Sequence, residues 1–91
     1  MLTQQIQIAD VAGLHARPAT EFVKRAQSVQ SQVTLVCRGR EANGKSILSI
    51  LALGAISGEN LTLRVEGPDE VAALRMLGTQ LNSLLNAVEE A

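Results

Sequence analysis

Three stretches of the chain place an apolar side chain at every second residue. Ile6 and Ile8 alternate with Gln5 and Gln7; Val33, Leu35 and Cys37 with Thr34, Val36 and Arg38; Leu61, Leu63 and Val65 with Thr62, Arg64 and Glu66. Successive residues of a strand point to opposite faces, so each stretch offers one face to a core and the other to water. Such strands build a sheet covered on one side only, and the cover must come from amphipathic helices elsewhere in the chain. The chain has 91 residues, room for one hydrophobic core. We therefore expect one domain over residues 1–91.

The helices are legible between the strands. Thr3 to Ala9 reads as the first strand and Asp10 to Gly13 as a loop. Pro18 then opens a helix to about Gln27, with Phe22, Val23 and Ala26 facing inward. After the second strand, Gly39 turns the chain into a short third strand, Arg40 to Ala42, completing a hairpin. Asn43-Gly44 breaks it, and Ser46 caps a short helix from Ile47 to Leu53. Ser57 to Asn60 is a turn into the fourth strand. Gly67-Pro68-Asp69 ends that strand, with Asp69 or Pro68 starting a last helix from about Glu70 to Val88. Its apolar stripe is Val71, Leu74, Leu77, Leu81, Leu84 or Leu85, and Val88. The order β-α-β-β-α-β-α is that of an α+β two-layer domain.

Composition excludes several functions. Phe22 is the sole aromatic residue, whereas single-stranded nucleic-acid binding usually stacks bases on aromatic rings. A net charge of −1 supplies no bulk field for nucleic acid or a membrane surface. One cysteine and one histidine make neither an intramolecular disulfide nor a structural zinc site, so no metal or cofactor is expected. Met1-Leu2-Thr3-Gln4-Gln5 has none of the features of a signal peptide, and no apolar run approaches a membrane span. The expected location is a reducing cytoplasm.

Charge is spread unevenly. Arg17, Lys24, Arg25, Arg38, Arg40 and Lys45 face only Asp10, Glu21 and Glu41 in the first half; Arg64 and Arg75 face Glu59, Glu66, Asp69, Glu70, Glu89 and Glu90 in the second. That asymmetry either steers anionic ligands and acidic partners toward the first half or is the solvated surface of two unrelated halves.

The chemistry concentrates at Gly13-Leu14-His15-Ala16-Arg17-Pro18-Ala19, which holds the one histidine. The proline places His15 at or just before a helix N-terminus. There the unpaired amides and the positive end of the dipole attract anions, beside an imidazole that can act as a nucleophile. Arg17 can clamp phosphate oxygens through its planar fork. Together they make a site for placing a phosphoryl group on histidine.

The short middle helix carries a second signal. At about 100° per residue, Ile50 and Leu53 point one way while Ile47, Leu48 and Leu51 occupy a separate arc. A helix lying on a sheet needs only one apolar arc. The other is either buried beneath a neighbouring segment or exposed for a partner, and in so small a chain little remains to bury it.

This order of elements, with the His15-Ala16-Arg17-Pro18 stretch, Phe22-Val23 and Lys45-Ser46-Ile47, resembles the HPr family of histidine-containing phosphocarriers of the phosphoenolpyruvate-dependent sugar phosphotransferase system. The resemblance implies an open-faced β-sandwich: an antiparallel four-stranded sheet in the order 1-4-2-3 with three helices on one face. It implies that His15 takes a phosphoryl group on Nδ1 from Enzyme I and passes it to Enzyme IIA domains, acting as a carrier rather than an enzyme. Arg17 matches the phosphate-contacting arginine, and Ser46 the position modified in many bacteria by an ATP-dependent HPr kinase/phosphorylase. Ile47, Leu48 and Leu51 match the docking patch, with Ala16, Thr20 and Lys24 as further docking candidates. A monomer is expected. The nitrogen-related phosphocarrier and other regulatory relatives share the motif, and Asn86 to Ala91 extend past the usual family end with no role assigned.

Overall fold

The computed structural model describes residues 1–10 and 12–86. Its elements are β1 (Leu2–Gln7), α1 (Ala16–Ala26), β2 (Gln32–Cys37), β3 (Arg40–Asn43), α2 (Ile47–Leu53), β4 (Asn60–Glu66) and α3 (Glu70–Leu85). The strands form one sheet in the order β1-β4-β2-β3, every pair antiparallel. This is the open-faced α+β arrangement expected.

The register keeps the alternating apolar residues on one face. Leu63 stands opposite Leu35, which stands opposite Ala42; Ile6 stands opposite Leu61. These residues are buried beneath the helices, as are Val33, Cys37 and Val65. One residue along, Thr34 faces Arg64 and Val36 faces Thr62 on the open side. Phe22, Val23 and Ala26 of α1, Ile50 and Leu53 of α2, and Leu77, Leu81 and Leu85 of α3 close the core. Burial pushes the Cys37 thiol up, in keeping with a small, inert core residue.

Several boundaries move for identifiable reasons. Helix α1 begins at Ala16, not Pro18, with His15 as its N-cap residue. Pro18 is then the third helical residue, where the missing N–H costs no intrahelical bond. Strand β1 ends at Gln7; Ile8 leaves the ladder but stays in the core, its amide bonded to the Glu59 carbonyl at 2.9 Å. The β2–β3 turn uses Arg38 as well as Gly39, both at positive φ (54° and 74°), which suits the twist of a two-residue hairpin loop.

The largest correction is in α3. Val71, expected on its apolar stripe, is 63% exposed, because it lies about 120° round the helix from Leu77. Leu74 and Leu84 border the stripe half-buried, and Ala73 and Gly78 belong to it. At Gly78 the end of the Gln4 side chain occupies the space a Cβ would take. Val88 lies outside the described residues. Asp69 does precede α3, yet its carboxylate caps nothing in that helix. It accepts the amides of Gln30 (3.0 Å) and Ser31 (2.9 Å) and the Ser31 hydroxyl, pinning the α1–β2 connection to the start of α3.

Candidate functional site

The segment before α1 is held on two sides. Toward α3, the Ala9 and Asp10 amides donate to the Leu85 carbonyl at 3.3 and 2.9 Å, and Ala9 also donates to Asn86 Oδ1 at 3.1 Å. Asn86, which sequence reasoning left without a role, therefore helps anchor this loop. Toward the α2–β4 connection, Gly58 donates to the Ile8 carbonyl at 2.7 Å and Leu14 to the Ala55 carbonyl at 3.1 Å. Gly13, at φ 65°, permits that approach: a Cβ there would stand 2.6 Å from the Ala55 oxygen. Leu14 is buried, so the chain is fixed immediately before His15.

His15 is exposed, in extended conformation (φ −98°, ψ −169°), and its carbonyl accepts the first helical bond from Ala19 at 3.0 Å. Its imidazole makes no capping bond. The amides of Ala16 and Arg17 lie ahead of that first helical bond, in the first turn that His15 precedes, where a helix start can receive an anion. Arg17 is exposed on the first turn, which contains no acidic residue. His15, Arg17 and Pro18 share a shallow depression with Asp10, Glu21, Ser83 and Leu84. The sequence did not single out the last four. Glu21 could have been found, since it lies four residues after Arg17 on the same helical face; the C-terminal end of α3 is brought there by tertiary packing alone. A larger depression on the open sheet face, lined by Thr34, Glu41, Asn43, Lys45 and Arg64, contains no histidine.

The other candidates lie on α1 and at α2, two helices that pack against each other. Ile47 and Leu51 are 37% and 38% exposed and Leu48 is 80% exposed, whereas Ile50 and Leu53 are buried. The two arcs of the short helix are thus divided as expected, one into the core and one to the outside. Ile56, 62% exposed beside Gly13, is a further exposed apolar residue and went unnoticed in the sequence because it lies in a loop. Thr20 donates back to the Ala16 carbonyl at 2.7 Å, and Lys24 is exposed in the last turn of α1. Ser46 is the N-cap of α2, its hydroxyl accepting the Ser49 amide at 3.2 Å. Gln27 Nε2 donates to the Lys45 carbonyl at 3.2 Å, so Ser46 lies by the C-terminal end of α1, with His15 at the other end. Among the described residues no cluster of side chains could hold a metal ion.

A sheet open on one face, with an exposed histidine at the N-cap position of the first helix and an exposed apolar arc on the second, is the frame of a small phosphocarrier-type module. The family model for the PTS HPr component phosphorylation site matches residues 2–83, and the chain belongs to the HPr family. It is 38% identical over 84 residues to the phosphocarrier protein HPr of Buchnera aphidicola, covering 92% of this chain and 99% of that one. The crystal structure of HPr-C-His from Thermoanaerobacter tengcongensis superposes with a TM-score of 0.87 at 36% identity, covering all of both chains. The Bacillus subtilis catabolite repression protein Crh, described as a swapped dimer, superposes at 0.73 with 34% identity, covering 93% of this chain and 98% of that one. No described helix is long and apolar enough to cross a membrane.

Proposed function

We propose that this chain, as one domain over 1–91, is a cytoplasmic phosphocarrier of the sugar phosphotransferase system. His15 accepts a phosphoryl group from phosphorylated Enzyme I and delivers it to Enzyme IIA domains. In the transfer, Nδ1 of His15 forms a bond to phosphorus while the P–N bond of the donor breaks, its electron pair leaving with the donor imidazole. Such a step asks the protein for in-line positioning and for stabilisation of charge on the equatorial oxygens. The amides of Ala16 and Arg17 and the Arg17 guanidinium supply the second. The chain is a carrier consumed and regenerated by its partners, not a turnover catalyst, and needs no cofactor of its own.

The observation that carries this reading is an exposed imidazole with no capping bond at the head of α1, on a loop bonded from both sides. Ile47, Leu48 and Leu51, with Ala16, Thr20 and Lys24, form the docking surface. Ser46 is a cap that an HPr kinase/phosphorylase can also modify, placing about −1.5 to −2 charge on that surface. We take the carrier to be a monomer; sedimentation of the purified chain tests this, and a stable dimer would refute it. The similarity to Crh favours one second reading, a regulatory carrier read by partners according to its phosphorylation state. Restored sugar uptake in a carrier-deficient strain supports transport; phosphorylation by Enzyme I without restored uptake supports regulation.

A further inference from the structure

The side chains of Arg38 and Glu59 lie outside the His15 depression and the apolar arc of α2, yet their bonds converge on the segment against which the His15 loop rests. The Arg38 guanidinium donates to the carbonyls of Leu53 (2.9 Å) and Gly54 (3.5 Å) and pairs with Glu59. The second carboxylate oxygen of Glu59 accepts the Ile56 amide at 2.8 Å. The pair therefore holds residues 53–56 at both ends, carbonyls on one side and an amide on the other. That segment finishes α2, and its Ala55 carbonyl accepts the Leu14 amide one residue before His15.

We propose that the Arg38–Glu59 pair is a positioning clamp, fixing the end of α2 and the His15 loop in one arrangement so that a partner docked on α2 meets the imidazole already in line. The proposal rests on His15 being the phosphoacceptor. The pair is partly exposed, Arg38 at 43% and Glu59 at 19%, so screening by solvent limits what its charge alone adds to stability. The hairpin does not need an arginine, since a turn position at φ 54° is better served by Asn or Gly. What the side chain adds comes from its far end, where the planar fork reaches two carbonyls and a carboxylate together.

Two variants test this. Arg38→Asn keeps the turn and deletes the guanidinium; Glu59→Gln keeps an acceptor for Ile56 and removes the charge. For each we would measure amide exchange at Leu14, Ile56 and Leu63, and Enzyme I kinetics with phosphoenolpyruvate. A clamp predicts faster exchange at Leu14 and Ile56, by about tenfold, with Leu63 in the sheet unchanged, and kcat lowered by about tenfold at a KM close to that of the parent. Arg38→Lys should recover part of kcat, having the charge without the fork. Unchanged Leu14 exchange in a folded variant, faster exchange at Leu14 and Leu63 alike, or parent-like kcat despite a loosened loop would each overturn the proposal. If the parent itself takes no phosphate from Enzyme I, the proposed function fails, while exchange at Leu14 still decides whether the pair holds the loop.

Discussion

His15 and Ser46 sit at opposite ends of α1: His15 caps its start, and Ser46 follows Lys45, whose carbonyl accepts Gln27 Nε2 at 3.2 Å past its end. Eleven helical residues lie between, about 16 Å at 1.5 Å per residue. That exceeds the screening length of about 8 Å at physiological salt. A charge at Ser46 therefore acts on whatever docks along α1 and α2, and only weakly on the imidazole itself. Ser46→Asp should keep the cap and the melting temperature, because Asp also accepts a first-turn amide and suits the helix dipole. It should slow phosphorylation by Enzyme I through KM, with kcat little changed. Ser46→Ala should lose about 0.5–2 kcal/mol of stability and transfer almost normally. Steady-state rates and thermal melts of both variants check this; a Ser46→Asp rate equal to the parent's would leave Ser46 as a cap alone.

The two arcs of α2 should separate stability from docking. Leu53 is buried, so Leu53→Ala should cost about 2–5 kcal/mol. Leu48 is 80% exposed and should cost far less in stability, while Leu48→Ala weakens binding to Enzyme I. Denaturant unfolding beside binding titrations distinguishes them. A large stability loss at Leu48 with unchanged binding would reverse the assignment.

The core face of each strand was legible because Ile6, Leu35, Leu61 and Leu63 alternate with mostly polar neighbours, and all are buried; the order in which the strands pair came from the family resemblance, since alternation does not choose a strand's neighbour. The Ser46 cap was also legible, its bond being local. What escaped depends on partners distant in sequence. Asp69 reads as a helix starter, yet its carboxylate serves Gln30 and Ser31, more than thirty residues earlier. Glu59 reads as a turn residue, yet it pairs with Arg38. The start of α1 was misplaced because proline is tolerated throughout a first turn, so Pro18 marks the turn and not its first residue. The His15 segment itself was found, but not its anchors at Ala55, Leu85 and Asn86, which no local pattern reveals.

Gly13→Ala should damage both fold and site. Gly13 is at φ 65°, where an alanine costs about 1–2 kcal/mol, and the new Cβ would meet the Ala55 carbonyl. The loop must shift away from the end of α2, carrying His15 with it. We expect a lower melting temperature and, below it, slower transfer from Enzyme I. Full transfer in a destabilised Gly13→Ala variant would show that the loop position is unimportant.

Asp69 gives stability a pH dependence. Its carboxyl is held below its ordinary value of 3.8, first by the Ser31 hydroxyl and then by the Gln30 amide. A carboxyl lowered on folding stabilises the folded state above the ordinary value, and that contribution is lost as pH falls through the lower, folded value. Asp69→Asn should therefore be less stable than the parent at neutral pH, with the gap closing below pH 3.8. Denaturant midpoints across the acid range measure it, and a constant gap would contradict it.

Arg17→Ala should melt near the parent, since the side chain is exposed, yet transfer phosphate more slowly. Arg17→Lys restores the charge without the planar fork and should recover only part of the rate. Equal single-turnover rates for Arg17→Ala and the parent would remove Arg17 from the site.

The most direct measurement is phosphorylation by Enzyme I and labelled phosphoenolpyruvate, with the modified residue located by peptide mapping. We expect one phosphate per chain, on His15, labile in acid and stable in base as a phosphoramidate requires, and no label on His15→Ala. Label retained by a folded His15→Ala variant, or none on the parent, would contradict it.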